Sequence, residues 1–486
     1  MVKKIPLLFM ALPAITGNNT ALHAAKKAGT ATPQRERMNI LVIVSDDLND
    51  WIGCLGGNPQ TITPNIDHLA ASGGLVMGNA QCPTSLSNPS RTAMLTGLRV
   101  STTGVYNNDQ DLRESPAAMA VPMMPQYFHD NGYYTLSRGK IFHRHARPEG
   151  QECGAWAFDE WSEGKGNFRT GVEGMVNGLP ERKGGSAFDW GPTKTSVEHT
   201  PDRTCAQWAA DKITAGFDKP FFMMIGFTRP HLPLYVPQQY FDKFPLDRIK
   251  VPEYRMDDLD DILDRQGKKM FKPSGDFLLF QERGVMPDAT RAYLACVNYV
   301  DDCVGVILAA LDASAYKENT IVIFAGDNGF HMGEKLRYRK ATLWEEAARV
   351  PLIIKVPGMT APALCMRPVN LLDLYPTLAE LCGLPVPAHA EGRSIVPLLE
   401  NPAREWHYPA LTTMGYKNHT LRDDRYRYNV YEHGAEELYD HNADPMEWNN
   451  LIRNPKYKAV ADRFRMLVPT QNAPPAKQWR SGGGDE

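Results

Sequence analysis

Two short runs of apolar, largely β-branched residues constrain the fold most strongly, because polar side chains follow each run directly. The runs and the residues after them are 39–45, followed by Asp46 and Asp47, and 320–325, followed by Gly326, Asp327 and Asn328. A continuous apolar run is typical of a strand covered on both faces, as in a parallel sheet. Because the carboxyl ends of such strands meet at the ligand crevice of an open α/β sheet, these acidic and amide side chains could share one site.

The chemistry of these side chains indicates a hard metal ion. All four offer oxygen atoms, which favours Ca²⁺ or Mg²⁺ over zinc. Two adjacent carboxylates at the end of a buried strand are costly unless a cation lies beside them. The alternative interpretation is a surface turn in which Asp46 and Asp47 are solvated.

The segment 87–97 combines a helix start with groups that suit an oxyanion. Asn88 can cap a helix, Pro89 suits the first helical position and Gly97 can end the helix. Ser87 lies beside the free backbone N–H groups of that helix start, and Arg91 lies one turn further on. The alternative is an ordinary helix start, since an unmodified serine is a poor nucleophile without an adjacent base.

The motif within this segment resembles the signature of the type I sulfatases. It reads Ser87-x-Pro89-Ser90-Arg91, followed by Leu95-Thr96-Gly97. The resemblance implies that Ser87 is oxidised to formylglycine, whose hydrate is the nucleophile. It implies one bound Ca²⁺, with Mg²⁺ as the second choice, held by a set of five residues: Asp46, Asp47, Ser87, Asp327 and Asn328. Serine instead of cysteine at position 87 implies a serine-type sulfatase-maturating enzyme as a partner.

Three further strings support the same resemblance, and the first two resemble its iduronate-2-sulfatase branch. They are Gly139-Lys140-Ile141-Phe142-His143, Arg229-Pro230-His231-Leu232-Pro233, and Lys340 at its distance from Val350-Pro351-Leu352. The resemblance implies that Lys140 and Lys340 contact the sulfate with Arg91, that His231 is the general acid and that His143 is the base. Taken alone, Lys140 and His143 could form an ordinary polar edge, and His231 could be structural.

The fold and the substrate class follow from this resemblance as expectations. The expected fold is α/β and alkaline-phosphatase-like, with a mixed, mostly parallel sheet between helices and a smaller C-terminal α+β subdomain. The expected enzyme is a sulfuric ester hydrolase that acts on sulfated sugars from glycosaminoglycans or marine algal glycans. Candidate substrate-binding residues beside the pocket are His145, Arg147, Arg229 and Arg337.

The N-terminus and the net charge bear on location and partners. Lys3 and Lys4 precede an apolar run at 5–15, and small residues follow up to Ala25. This pattern predicts a signal peptide at residues 1–25 and export to the periplasm or beyond, with a frayed apolar N-terminus as the alternative. A net charge of −3 favours neither nucleic acid nor an anionic membrane. No apolar run in the remaining chain predicts a membrane span.

The rest of the chain divides by composition. Residues 36–384 are predicted to form the catalytic domain and residues 393–471 an antiparallel-sheet subdomain, with a proline-rich linker between them. The polar, glycine-rich segment 472–486 is predicted to be a disordered tail. Two other functions remain open: a phosphoester hydrolase of the alkaline phosphatase superfamily, and a non-catalytic protein that binds sulfated glycans if Ser87 is unmodified.

Overall fold

The protein combines a large mixed sheet, helices on both of its faces and a small C-terminal sheet. This computed structural model describes residues 37–143, 153–164, 168–179 and 187–478. The strands in this part of the chain are β1 Asn39–Asp46, β2 Leu75–Gln81, β3 Tyr134–Gly139, β4 Glu160–Ser162, β5 Trp190–Thr193, β6 Phe221–Pro230, β7 Leu234–Pro237, β8 Thr320–Gly326, β9 His331–Met332, β10 Tyr338–Arg339, β11 Leu352–Lys355, β12 Ala363–Asn370, β13 Ala410–Thr413, β14 His419–Arg422, β15 Tyr426–Val430 and β16 Glu436–Asp440. The helices are α1 Pro64–Ala71, α2 Ser87–Thr96, α3 Val100–Thr103, α4 Pro116–Met119, α5 Met124–Asp130, α6 Cys153–Ala157, α7 Pro201–Ala215, α8 Gln238–Phe241, α9 Gly275–Arg283, α10 Met286–Asp312, α11 Glu345–Ala348, α12 Leu374–Leu381, α13 Val396–Glu400 and α14 Lys458–Arg465.

The large sheet has the strand order β12-β2-β11-β8-β1-β6-β3-β4, and only β11 runs antiparallel to its neighbours. Every residue of the central strand β1 is buried. Leu41 and Ile43 pack into the core on one face, while Ile40, Val42 and Val44 pack into the core on the other. The prediction of strands covered on both faces is therefore confirmed for β1, and β8 is likewise buried throughout.

The register of this sheet brings the predicted polar residues together. Strands β1 and β8 are parallel neighbours, and Ser45 pairs with Gly326. The residues that follow them, Asp46, Asp47, Asp327 and Asn328, are therefore at the same edge of the sheet. On the other side of β1, strands β6 and β3 end at the same edge, because Gly139 pairs with Gly226.

Helix α10 is the longest helix in the described part of the chain, and its apolar stripe packs into the core. It is also the one helix there that is long and apolar enough to cross a membrane by length and composition, although most of it is buried inside the protein.

The C-terminal sheet, β13 to β16, packs against the large sheet rather than standing apart from it. Contacts group residues 37–486 into one compact unit. The side chain of Arg427 on β15 is fully buried, forms ion pairs with Glu345 and Glu447, and donates to the carbonyl oxygen of Leu343 at 3.1 Å. This buried contact fixes the C-terminal sheet against the segment 343–345.

The structure differs from the prediction at the start of the C-terminal tail. Residues 472–478 lie along α3 and Gly104, which ends that helix, instead of being disordered. The backbone N–H of Ala473 donates to Ser101 O at 2.7 Å, and that of Ala476 donates to Gly104 O at 2.8 Å. These hydrogen bonds order a segment that has little apolar content of its own. The rest of the predicted tail and the predicted signal peptide lie outside the described residues.

Candidate active site

Ser87 is the first residue of α2, and its hydroxyl lies inside a cluster of charged side chains. Its Oγ donates to Asp46 Oδ1 at 2.9 Å, accepts from Lys340 Nζ at 2.9 Å and lies 3.3 Å from Asn328 Oδ1. The serine is fully buried. The helix begins two residues earlier than the capping pattern indicated, because the Asn88 side chain donates to the carbonyl oxygen of Gln110 instead of capping the helix.

Two lysines and Arg91 neutralise the buried carboxylates around Ser87. Lys140 contacts Asp46 Oδ2 and Lys340 contacts Asp47 Oδ1. The guanidinium of Arg91, also buried, donates from Nε to Asp327 Oδ2 at 2.8 Å and lies 3.4 Å from Asp46 Oδ1 through Nη2. Such burial is tolerable because each charge faces an opposite one.

The charges around the site perturb several pKa values. Burial would raise the pKa of Asp46, but Lys140, His231 and the other cations together hold it well below its usual value. Burial raises the pKa of Asp327 despite the attraction of Arg91. For Lys340, burial disfavours the charged form, yet the neighbouring carboxylates raise its pKa above the usual value. The site therefore keeps Asp46 ionised and Lys340 protonated.

Asp47 adopts an unusual backbone conformation that aims its carboxylate at the site. Its φ of 62° lies in the left-handed region, which costs a non-glycine residue energy unless its surroundings fix it. Its N–H donates to Asp327 Oδ1 at 3.0 Å, and its carbonyl oxygen accepts from the Tyr293 hydroxyl at 2.7 Å. Asn328 Nδ2 donates to its Oδ1 at 2.8 Å. These contacts fix the position of the Asp47 carboxylate.

His231 faces the same carboxylate from the loop after β6. Its Nε2 lies 3.9 Å from Asp47 Oδ2, and its Nδ1 lies 2.8 Å from the carbonyl oxygen of Leu232. Because a carbonyl can only accept, Nδ1 carries a proton and Nε2 is the nitrogen that exchanges one. Burial, together with nearby lysines, outweighs the attraction of Asp47 and lowers the pKa of His231 to about 4.

Arg229 is placed differently from the prediction that it binds substrate. Its side chain is buried, donates to the carbonyl oxygens of Tyr235 at 3.0 Å and His231 at 2.7 Å, and stacks over Phe168. All of these contacts are internal to the protein. Arg229 therefore shapes the loop that carries His231, and its guanidinium is not directed at the substrate.

The remaining predicted residues have mixed positions. His143 follows Lys140 by three residues and is partly buried. Arg337 lies beside a neighbouring cavity. His145 and Arg147 lie outside the described residues. The structure brings nine of the predicted residues into one cluster: Asp46, Asp47, Ser87, Arg91, Lys140, His231, Asp327, Asn328 and Lys340.

Several positioning residues were not predicted from the sequence. Tyr293 holds Asp47 as described above, yet in the sequence it is one apolar position of α10. Asp202, at the start of α7, accepts from the backbone N–H groups of Thr228 and Arg229 at 2.8 and 2.9 Å and so fixes the loop of His231. An acidic residue directly after a proline at a helix start was the one available signal for Asp202.

An oxygen-rich cluster of this kind can hold a hard cation and a tetrahedral oxyanion. Ligand atoms of Asp46, Asp47 and His231 all lie within 4.8 Å of one another. Asp327 and Asn328 add further oxygens beside them. The amino groups of Lys140 and Lys340 contact Asp46 and Asp47 of the same cluster, so a monoanionic ligand there would meet two fixed positive charges.

Comparison with known proteins agrees with this geometry. The family model described as "Sulfatase" matches residues 38–384, and the model "N-sulphoglucosamine sulphohydrolase, C-terminal" matches residues 333–472. A sulfatase of Formosa agariphila is 37% identical over 90% of this chain and 87% of its own length. Iduronate 2-sulfatase of Mus musculus is 30% identical over 76% of this chain and 72% of its own length. The solved phosphonate monoester hydrolase of Agrobacterium radiobacter, 20% identical, superposes with a TM-score of 0.71 over 89% of this chain and 95% of that chain.

The fold and the cluster around Ser87 thus define an alkaline-phosphatase-like hydrolase. The chain belongs to the sulfatase family, as the type I signature predicted, and it is a sulfuric ester hydrolase.

Proposed function

We propose that the protein is an exported sulfatase that hydrolyses sulfate esters on sugars released from a sulfated polysaccharide, either a glycosaminoglycan or a marine algal glycan. The observation that carries this proposal is the position of Ser87 Oγ, 2.9 Å from both Asp46 and Lys340 in a buried cluster of charges. The sugar acid in the name of the mouse relative supports a carbohydrate substrate. The apolar N-terminal run supports export to the periplasm or beyond.

Residue 87 is proposed to act as formylglycine, made from Ser87 by a serine-type sulfatase-maturating enzyme. Serine itself is poorly suited to attack here: its hydroxyl donates to Asp46, and the low pKa of Asp46 makes this carboxylate too weak a base to activate it. A hydrated aldehyde at position 87 supplies a hydroxyl nucleophile and a second hydroxyl through which the sulfate group is later released.

The side chains at the site fit a bound Ca²⁺, with Mg²⁺ as the second choice. Asp46, Asp47, Asp327 and Asn328 would hold the ion through oxygen atoms, together with the oxygen of residue 87. Three buried carboxylates and one amide at one edge of the sheet are the oxygen donor set that such an ion prefers. When bound, the ion supplies positive charge that favours the ionised form of a hydroxyl at position 87.

The cations divide between two tasks. Arg91 is 1% exposed and its guanidinium is already engaged by Asp327, Asp46 and backbone carbonyl oxygens, so it holds the carboxylates in place. Lys140 and Lys340 keep 15% and 10% of their side chains exposed and are therefore the cations that can reach a sulfate group. Each preorganised charge of this kind lowers a reaction barrier by about 3 kcal/mol.

Two histidines are assigned to proton transfer. His231 Nε2 gives a proton to the oxygen of the leaving alcohol, while Nδ1 stays hydrogen bonded to the Leu232 carbonyl. In the free protein His231 is neutral at neutral pH, since its pKa is lowered to about 4. A sulfate monoanion bound beside it raises this pKa and so helps Nε2 to gain the proton. His143 is assigned as the base that removes a proton from the second hydroxyl at position 87.

The proposal is tested by sulfate release from defined oligosaccharides. Protein co-expressed with a serine-type maturase should release sulfate from at least one series among heparin, chondroitin sulfate and ulvan oligosaccharides, and Ser87→Ala should abolish this release. Ser115→Ala is the matched control, because it removes a buried hydroxyl that caps α4 outside the site. Turnover of phosphate monoesters without any sulfate release would contradict the proposal, and so would full activity of Ser87→Ala.

A further inference from the structure

A cavity of about 720 Å³ lies beside the active site and has no part in the chemistry described above. Four separate segments form its walls: the loop 264–271, Arg337 with residues 341–344, the turn 414–418 between β13 and β14, and residues 431–433 after β15. Its volume lies within the usual range for small-molecule sites. The C-terminal sheet thus contributes one wall of a space that opens next to the sulfate-binding lysine.

The aromatic walls of this cavity are held rigidly. Trp344 Nε1 donates to Glu437 Oε2 at 2.8 Å, and the Tyr431 hydroxyl donates to the other oxygen of the same buried carboxylate. The ring of Phe271 packs against both, with centroid distances of 5.1 Å to Trp344 and 5.6 Å to Tyr431. At the rim, His433 stacks on Tyr431 with an interplanar angle of 8°. Fixed aromatic faces of this kind suit the apolar face of a sugar ring.

Arg337 supplies a cation in this cavity that forms no ion pair within the described part of the chain. Its guanidinium lies between Phe271 and Trp344, 5.4 and 5.3 Å from the ring centroids. Its Nε is buried and finds no hydrogen-bond acceptor among the described residues. Burial lowers the pKa of Arg337 from its usual value, as expected for a desolvated cation. An arginine in this state is prepared for an anionic ligand.

The charged residues at the cavity include cations that an anion can reach. Lys268, Lys269 and Arg337 line it, and so do Asp264 and Glu432. Lys269 is paired with Asp260, while Oδ1 of Asp264 accepts from the backbone N–H groups of Gln266 and Lys268. Arg337 and Lys268 are therefore the two cations of the cavity that remain for an anionic ligand.

The cavity adjoins the active site along the chain. Ala341 and Thr342 line the cavity and directly follow Lys340, which contacts Ser87. The N–H of Ala341 donates to Ser85 O at 3.1 Å, and the Ser85 hydroxyl donates to Thr342 O at 2.6 Å. The segment 341–342 therefore joins the cavity wall to the residues beside Ser87.

We propose that this cavity is a second sugar subsite, which binds an anionic ring of an oligosaccharide whose sulfate ester lies at Ser87. The inference rests on the proposed function and specifies its substrate: a chain of two or more rings that carries a carboxylate or sulfate on the ring next to the one that is cleaved. Arg337 pairs with that anion, and Phe271 and Tyr431 contact the sugar face.

The test measures binding with a protein that cannot turn over its ligand. The Ser87→Ala protein is titrated calorimetrically with sulfated monosaccharides and tetrasaccharides of heparin, chondroitin sulfate and ulvan. We expect one series in which the tetrasaccharide binds about tenfold or more tightly than the monosaccharide, since one charge-assisted contact has this value. Adding Arg337→Gln should remove most of that advantage. Lys268→Gln, at an exposed rim position that cannot affect folding strongly, should weaken tetrasaccharide binding several-fold.

A matched control is Lys456→Gln, which removes the same charge at an exposed position outside the cavity and should leave tetrasaccharide binding unchanged. The inference is overturned if no series favours the longer chain, or if Arg337→Gln and Lys268→Gln both bind the tetrasaccharide like their parent. Length-dependent binding that needs Arg337, without sulfate release by the matured protein, would refute the proposed function and leave the subsite standing. Sulfate release without any preference for the longer chain would support the proposed function and overturn the second subsite.

Discussion

Replacing Tyr293 by phenylalanine tests how the protein holds Asp47 in place. The Tyr293 hydroxyl donates to Asp47 O at 2.7 Å and accepts from the N–H of Asn49 at 3.0 Å, and the whole residue is buried. Tyr293→Phe would leave two buried backbone groups without a partner, which costs about 2–4 kcal/mol of stability. It would also release the left-handed backbone of Asp47, whose φ is 62°.

Tyr299→Phe is a control that lies on the same helix. Its hydroxyl donates to Thr200 Oγ1 at 2.7 Å and accepts from the N–H of Arg203 at 3.0 Å, and it is equally buried. Both variants therefore lose two hydrogen bonds of similar geometry. Only Tyr293→Phe removes a contact to a residue of the active-site cluster.

The assay compares stability, metal response and turnover of the two variants. Urea unfolding should show similar losses for both. Turnover of a sulfate ester at saturating Ca²⁺ should fall about 10- to 100-fold for Tyr293→Phe alone, because small displacements of a site residue have effects of that size. The Ca²⁺ concentration that gives half of the thermal stabilisation should also rise for Tyr293→Phe alone. Equal turnover and equal metal response of the two variants would refute the positioning role of Tyr293.

Three buried titratable side chains give further predictions. Arg91→Lys should reduce turnover about tenfold or more and lower the unfolding free energy by about 2 kcal/mol, because one ammonium group cannot replace the contacts of the guanidinium. Steady-state kinetics and urea unfolding measure the two effects, and wild-type values would contradict the prediction. Lys335→Met should lower the unfolding free energy by about 3–5 kcal/mol, because it leaves the buried carboxylate of Asp258, 2.8 Å away, without its cation. Adding Asp258→Leu should recover part of that loss in a double-mutant cycle, and no recovery would contradict the pairing. Burial lowers the pKa of His419 to about 4 in the folded protein, so as the pH falls this histidine gains a proton first in the unfolded chain. His419 should therefore reduce the unfolding free energy by about 2 kcal/mol between about pH 7.5 and pH 5. His419→Gln should remove that part of the pH dependence of unfolding, and an unchanged dependence would show that His419 does not cause it.

The parts of the fold that were predictable are those that local sequence patterns determine. The buried runs of β1 and β8 lack alternation, so both faces of each strand had to be covered. Their parallel pairing then brought Asp46, Asp47, Asp327 and Asn328 together without knowledge of any other contact. The motif that begins at Ser87 supplied the class of chemistry.

The parts that could not be predicted depend on packing between distant segments. The sequence around Arg229 does not tell whether its guanidinium points to a ligand or to the carbonyl groups of its own loop, and the structure shows the second. The composition of 472–478 indicates disorder, yet hydrogen bonds to Ser101 and Gly104 order this segment. The aromatic cavity beside Lys340 is built from four segments between residues 264 and 433, which no local pattern brings together.

Mass spectrometry of the peptide that contains Ser87 tests the central claim most directly. The sample should be protein from its native host, or protein co-expressed with a serine-type maturase, with sulfate ester turnover measured on the same preparation. We predict that active protein carries a peptide lighter by two hydrogen atoms, which an aldehyde-reactive reagent captures at residue 87. Active protein in which residue 87 is entirely serine would contradict the formylglycine mechanism.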